Sequence, residues 1–196
     1  MVKKGAATTE DRACARAKGS RRFLLFAGVV LAACTGGGPK AADAPVGAST
    51  VAGPALDGRP VQFAYDSLDE RPVTSDAMRG RPSVIAFVTT WDLSSQAEID
   101  FLVPMAKNDA GHVSYAMVAL QEREDRELVE LYAQKLGVAF PVALADKATI
   151  AGGGPFGDVH AVPTVVVLDR EGRIAWEHVG LAKGNEIRTA LRSLGP

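Results

Sequence analysis

A near-continuous apolar run at Ser83–Thr89 (SVIAFVT) most constrains how this chain can fold. Such a run predicts a strand that is covered on both faces of a sheet, near the sheet centre. A helical pattern follows from Ser94 to about Asn108, with a kink expected at Pro104 because proline lacks the backbone N–H. A strand buried on both faces and followed by a helix predicts an α/β architecture with helices packed on the sheet.

Further strands and helices alternate along the chain. The last two strands flank Asp169-Arg170-Glu171-Gly172, which predicts a hairpin. With 47% hydrophobic and 23% charged residues, the composition is that of one ordinary globular domain. After an edge strand at Val61–Tyr65, the predicted order is βαβαβ followed by ββα. The further strands are Val113–Leu120, Val142–Ala145, Thr164–Leu168 and Ile174–Val179; the further helices are Arg123–Leu136, a weak helix after Ala145, and Gly184–Leu194.

The first 33 residues have the composition of an export signal. Seven basic and two acidic side chains precede an uncharged run, Phe23–Ala33. This run is far shorter than the roughly 20 residues that a membrane-spanning helix needs. It therefore predicts the apolar core of a signal peptide.

Leu31-Ala32-Ala33-Cys34 closes this run and resembles the bacterial lipobox. The resemblance implies cleavage before Cys34, a diacylglycerol on its thiol and attachment to a membrane of the bacterial cell envelope. The residue after Cys34 is Thr35, whereas enteric lipoproteins that stay in the inner membrane have aspartate at this position. The outer membrane is therefore favoured, with the domain in the periplasm. The alternative is a stray cysteine behind a buried helix or a membrane anchor.

The predicted organisation is a signal peptide (1–33), a lipidated cysteine with a Gly/Ala/Pro-rich flexible tether (34–58) and a domain (59–196). Beyond Cys34 the chain carries 15 basic and 21 acidic side chains, a formal charge of −6. This charge disfavours nucleic-acid binding. The chain's two cysteines are Cys14 and Cys34, so the domain has no thiol for a disulfide or a thiol mechanism.

The segment after the central run, Thr90-Trp91-Asp92-Leu93-Ser94-Ser95, resembles the active-site region of thioredoxin-like proteins of the TlpA and peroxiredoxin group. Further matches are Gly80-Arg81-Pro82, Gly137–Val142, Val162-Pro163-Thr164 and Asp169–Ile174. The resemblance implies a thioredoxin-like α/β fold: a central mixed β-sheet flanked by helices, with an N-terminal β extension.

The redox-active members of this family carry Trp-Cys-x-x-Cys at the end of the strand. Asp92 and Ser95 stand at the two cysteine positions here, and Asp92 also takes the place of the peroxiredoxin cysteine. No catalytic residue is therefore predicted. Helix capping is the favoured role, either by Asp92 or Ser94, or by a Ser95–Glu98 capping box. Asp92 as an acid or base in a partly apolar pocket is the alternative.

The resemblance also implies a peptide-binding groove beside a cis proline, Pro163. Val162 would offer its free backbone to an extended peptide. The predicted groove comprises Trp91, Asp92, Leu93, Val162, Pro163 and Thr164. The leading hypothesis is a redox-inactive module that binds or scaffolds an unknown envelope protein or peptide. Rival hypotheses are an oxidoreductase-related role through a partner's cysteines or a bound cofactor, and a structural remnant.

Other constellations are weaker. A hydrolytic grouping of Ser94 or Ser95 with His160 and Asp92 lacks a strained nucleophile turn and an oxyanion loop. Asp92 and His160 offer fewer ligands than zinc normally has. Neither a metal nor a cofactor is predicted. The glycine-rich segment 152–157 lacks the Lys-Ser/Thr of a phosphate-binding loop and is expected to be a mobile connection.

Overall fold

The computed structural model describes residues 58–195 of the 196-residue chain. The predicted signal peptide (1–33), Cys34 and the tether up to residue 57 lie outside the described residues, so these assignments stay predictions. Within residues 58–195, no helix combines the length and the apolar character that crossing a membrane requires.

Strands and helices alternate through the described part of the chain, in the order that the sequence predicts with two short additions, β2 and α1. The strands are β1 (Ala64–Ser67), β2 (Val73–Thr74), β3 (Ser83–Val88), β4 (Ser114–Ala119), β5 (Val142–Leu144), β6 (Thr164–Leu168) and β7 (Ile174–Val179). The helices are α1 (Ser75–Met78), α2 (Leu93–Asn108), α3 (Arg126–Lys135), α4 (Lys147–Ile150) and α5 (Gly184–Ser193), and a 3₁₀ turn (Arg123–Asp125) precedes α3.

All seven strands join one mixed sheet in the order β2-β1-β5-β4-β3-β6-β7. β3 is parallel to β4 and antiparallel to β6. Its six residues are all buried, as the apolar run predicts, although β4 holds the middle position. The predicted mixed sheet with flanking helices is thus confirmed.

The alternating side chains of β3 divide the core into two layers. Val84, Ala86 and Val88 pack with the apolar faces of α2, α3 and α5. Ile85 and Phe87 point to the opposite face, towards an aromatic cluster. That cluster contains Phe63, Tyr65, Phe87 and Phe156, with ring centroids 5.1–6.4 Å apart. Both faces of β3 are therefore dry, which explains why Ser83, at its start, is its only polar residue.

The predicted edge strand at Val61–Tyr65 is wrong in its residue range and in its place in the sheet, since it is not at the edge. The observed strand, β1, starts at Ala64, and β2 covers its outer side by pairing Val73 with Tyr65. β1 also pairs antiparallel with β5 through Asp66 and Ser67. A two-residue edge strand leaves too short a pattern for periodicity to reveal.

The predicted helix Arg123–Leu136 begins as a 3₁₀ turn, and Tyr132 and Leu136 pack against the core. Val129 and Ala133 are buried there, whereas Leu128 and Leu131 are about half exposed. The smaller residues face the sheet, so the larger leucines of α3 remain on the surface.

The glycine-rich segment is packed against its neighbours. Gly152 has a φ of +79°, and a Cβ at this position would collide with His160 and Asp158. A Cβ at Gly154 would collide with the buried Thr149. Phe156 anchors the segment in the aromatic cluster, so this connection is held by contacts rather than being an unattached loop.

Candidate functional site

The candidate site lies where β3 ends and α2 begins. Asp92 has extended backbone angles, and its side-chain Oδ2 accepts a 2.6 Å hydrogen bond from the backbone N–H of Ser95. This bond satisfies one of the amides that the first turn of a helix leaves unpaired. Asp92 is therefore the N-cap of α2, which confirms the capping prediction for this residue.

Ser95 lies inside the first turn and is fully buried. Its Oγ accepts a hydrogen bond of 3.3 Å from the backbone N–H of Thr89, the residue that follows β3. The predicted Ser95–Glu98 capping box is therefore wrong, because Asp92 already caps the helix. The hydroxyl of Ser95 instead joins the start of α2 to the end of β3.

The register between β3 and β6 brings the second half of the predicted groove to the same end of the sheet. Phe87 pairs with Thr164, which sets the residues that follow β3 beside those that precede β6. The Val162–Pro163 peptide bond is cis, as predicted, and Pro163 is buried. The Thr164 hydroxyl donates a 2.7 Å hydrogen bond to the Ala161 carbonyl.

Val162 precedes this proline, and its side chain is half-buried. Within residues 58–195, neither its backbone N–H nor its carbonyl has a hydrogen-bond partner. The Pro163 carbonyl, in contrast, accepts a 2.8 Å bond from the N–H of Gly180. A backbone donor and acceptor are thus left at Val162, next to the exposed end of α2.

Exposed apolar side chains surround this point. Trp91 is 69% exposed and Leu93 is 78% exposed, which is unusual for side chains of this size. The Gly180–Pro163 hydrogen bond also holds the exposed Val179 and Leu181 on the β6 side of the groove. Sequence reasoning missed these two residues, because their place follows from the β6–β7 hairpin and not from a motif.

A carboxyl group, Glu98, is fully buried below the groove. Its Oε2 accepts a 2.7 Å hydrogen bond from the backbone N–H of Ala182, and its Oε1 has no partner among the described residues. Burial, with a smaller contribution from the nearby Glu186 charge, raises the pKa of Glu98 to about 7 against the opposing effect of the Ala182 bond. Glu98 can therefore exchange a proton near neutral pH.

The sequence carried a signal for Glu98 that the capping-box interpretation obscured. Glu98 lies three residues after the buried Ser95 and four before the buried Leu102, so it occupies the core-facing side of α2. An acidic residue at such a position is rarely buried without a partner. Its spacing indicates that it faces the core, but not that the distant Ala182 would pair with it.

Gln121 fixes the other side of the strand end. It is buried, and its Oε1 accepts a 2.9 Å hydrogen bond from the backbone N–H of Thr90, directly before Trp91. Its Nε2 and the side-chain hydroxyls of Thr89 and Thr90 lack hydrogen-bond partners among residues 58–195. The layer below the groove is consequently polar and incompletely paired, which is uncommon for a protein interior.

His160 has a different partner from the one considered in the hydrolytic grouping. It contacts the carboxylate of Asp158, and both side chains are more than half exposed. The Ser95 hydroxyl is meanwhile bonded at Thr89. In the part of the chain that is described, no three His, Cys, Asp or Glu side chains converge as metal ligands.

The sequence matches no protein-family model and no curated protein. Solved structures do resemble the fold. A thioredoxin family thiol:disulfide interchange protein from Chlorobium tepidum is 21% identical, with a TM-score of 0.60 over 69% of this chain and 94% of its own. A secreted disulfide oxidoreductase from Mycobacterium tuberculosis is 19% identical, with a TM-score of 0.57 over 68% of this chain and 97% of its own.

A secreted thiol-disulfide isomerase from Corynebacterium glutamicum is 16% identical, with a TM-score of 0.59 over 68% of this chain and 83% of its own. At such identities the likeness extends to the fold and not to the chemistry. The predicted thioredoxin-like fold is confirmed: the described part of this chain has the fold of the thiol:disulfide interchange proteins.

Proposed function

We propose that this protein is a redox-inactive thioredoxin-fold module that binds an extended segment of an envelope protein or peptide. The occupant lies across the groove of Trp91, Asp92, Leu93, Val162, Pro163 and Thr164, extended by Val179 and Leu181. One observation carries the proposal: Val162 has an unpaired backbone donor and acceptor at the end of the sheet where two apolar side chains, Trp91 and Leu93, are exposed.

An extended peptide fits these features because its own backbone can pair with Val162 as an added strand would. Trp91 and Leu93 supply apolar area for its side chains, and aromatic residues are common anchors of binding sites. The carboxylate of Asp92 is engaged with the Ser95 amide, so the binding energy comes mainly from backbone pairing and apolar contact.

The absence of cysteine from residues 58–195 supports binding without exchange. Residues 58–195 contain no cysteine, since Cys14 and Cys34 both precede them. Asp92 and Ser95, which replace the two cysteines of the redox motif, are both occupied in hydrogen bonds that order the helix start. Neither side chain can attack a disulfide, because that reaction requires a thiolate.

The proposed location is the periplasmic side of a bacterial envelope membrane, with the outer membrane favoured and diacylglycerol on Cys34 as the anchor. The order of basic segment, short apolar run, small residues and cysteine supports it. Two of the structural neighbours are secreted proteins, which agrees with an exported domain. Mass spectrometry of the membrane-extracted chain tests the anchor: the expected product begins at Cys34 and carries acyl groups.

Binding is tested by selecting peptides from a random library on the purified chain and measuring their affinities by calorimetry. Trp91→Ala is expected to weaken binding at least tenfold, as for a typical aromatic anchor. Phe101→Ala is the matched control. Phe101 is also an exposed aromatic residue, but it lies in the third turn of α2 and is not one of the groove residues. Equal affinities of the two variants would refute the placement of the groove.

A second candidate function is thiol-disulfide chemistry through a partner's cysteines. The buried carboxyl of Glu98 favours it, since a group that titrates near pH 7 below the groove suits proton transfer to or from a partner's thiol. Insulin reduction by dithiothreitol, with and without the chain, separates the two functions. The binding proposal predicts no acceleration, and a thiol-dependent turnover that Glu98→Gln lowers would establish the second.

A further inference from the structure

A concave site lies at the opposite end of the sheet from the groove. It is an open cavity of about 530 Å³ at the start of β4, bordered by α1, the C-terminal half of α2 and the segment before β5. This volume lies within the range of about 300–1,000 Å³ that is usual for small-molecule sites. None of the groove residues lines it.

The cavity floor is apolar. Met78 of α1, Tyr115 of β4 and Phe140 before β5 line it and are buried. One wall is formed by small and branched side chains of α2, including Val103 and Ala106. Such a surface favours a hydrocarbon group, since covering it removes apolar area from water.

The charged residues of the lining are all cationic. Arg71 is already engaged, since it contacts the carboxylate of Asp69 and donates to the Ala139 carbonyl. Arg81 and Lys107 are exposed and have no carboxylate partner within residues 58–195. No aspartate or glutamate lines the cavity. Two uncompensated cations therefore border an apolar pocket in a domain whose overall charge is negative.

We propose that this cavity binds a single-chain amphipathic anion. The acyl chain lies on Met78, Tyr115 and Phe140, and the anionic head lies between Arg81 and Lys107. Charge complementarity selects this occupant, because a cationic or neutral amphiphile would leave both cations unpaired. The head can be the carboxylate of a fatty acid or the phosphate of a lysophospholipid. Both groups are anionic and accept charge-assisted hydrogen bonds from arginine and lysine.

The experiment is calorimetric titration of the purified chain with dodecanoate and with dodecyl phosphate, each below its micelle concentration. Dodecyltrimethylammonium has the same chain length and the opposite charge. We expect binding of at least one anion and none of the cation. Binding of dodecanoate alone identifies a fatty acid as the source, and binding of dodecyl phosphate alone identifies a phospholipid head.

Variants locate the bound anion. Arg81→Gln with Lys107→Gln is expected to weaken binding about tenfold, as lost charge-assisted hydrogen bonds would. Lys135→Gln removes an exposed cation of α3 outside the cavity and is expected to leave the affinity unchanged. Circular dichroism verifies that each variant is folded. Failure of both anions to bind, equal binding of the cation, or equal affinities of the two sets of variants would overturn the proposal.

Discussion

Asp92 and Ser95, which replace the two cysteines of a thioredoxin motif, are hydrogen-bonded to each other: the Asp92 carboxylate accepts from the Ser95 amide at 2.6 Å. Asp92→Ala removes this cap and is expected to lower the free energy of unfolding by about 1 kcal/mol, within a range of 0.5–2. Asp92→Asn keeps a hydrogen-bond acceptor and is expected to retain most of this stabilisation. Urea titration gives both values.

Asp100→Ala is the control for this change, since Asp100 is an exposed aspartate of the same helix with no hydrogen bond at its N-terminus. It is expected to change the stability by less than about 0.5 kcal/mol. If Asp92→Ala were no more destabilising than Asp100→Ala, the cap would contribute nothing measurable.

The same two positions are expected to accept a working dithiol. Asp92→Cys with Ser95→Cys places two thiols at the start of α2, where unpaired amides stabilise the thiolate of the first. The double variant is expected to form a disulfide under oxidation and to accelerate insulin reduction, while Asp92→Cys alone has no second thiol within residues 58–195 to pair with. Thiol titration and the insulin assay measure this. A double variant that is folded and oxidised but inactive would show that the fold needs more than the two sulfurs.

The strands and helices that could be predicted from the sequence are those with long or self-contained patterns. The buried run of β3, the hairpin of β6 and β7 and the helix α5 lie within a residue or two of their predicted bounds. The cap at Asp92 was predictable too, because the interaction is local to three residues. Each of these features depends on contacts between residues close in sequence, which is why a local sequence pattern predicts it.

The features that escaped prediction depend on distant parts of the chain. Glu98 is a site residue because Ala182, 84 positions away, donates to it. Val179 and Leu181 adjoin the groove because Gly180 bonds to Pro163. In α3, the sheet packs against Val129 and not against the leucine-rich side, a choice that periodicity alone does not make.

Gln121 is expected to stabilise the strand end below Trp91. Replacing it by leucine keeps a similar volume but leaves the Thr90 amide without its acceptor, which costs about 1–3 kcal/mol for a buried donor. Gln134→Leu, at an exposed position of α3, is the matched control and is expected to be nearly neutral. Urea unfolding of the two variants provides the comparison. Similar stabilities would mean that water replaces the lost acceptor.

Glu98 is expected to make the stability of the protein depend on pH. Its pKa rises from 4.5 to about 7 on folding, so between these values the folded chain binds a proton that the unfolded chain has released. The unfolding free energy therefore falls as pH rises through this window, by roughly 3 kcal/mol in total, and levels off above pH 7. Asp69 has the opposite effect on the unfolding free energy. The hydrogen bond from Arg71 lowers the pKa of Asp69, so the stability that this carboxylate contributes is lost only at more acidic pH.

Glu98→Gln removes the titrating group and keeps a hydrogen-bond acceptor for Ala182. Its unfolding free energy is expected to be nearly flat from pH 4.5 to 7, with a small remaining decline from Glu177, whose pKa burial also raises. Glu127→Gln, at an exposed position of α3, is expected to keep the full decline. Urea titrations at several pH values measure all three slopes. A wild-type profile as flat as that of Glu98→Gln through this window would mean that Glu98 is ionised in the folded protein and that the polar layer below the groove stabilises its charge.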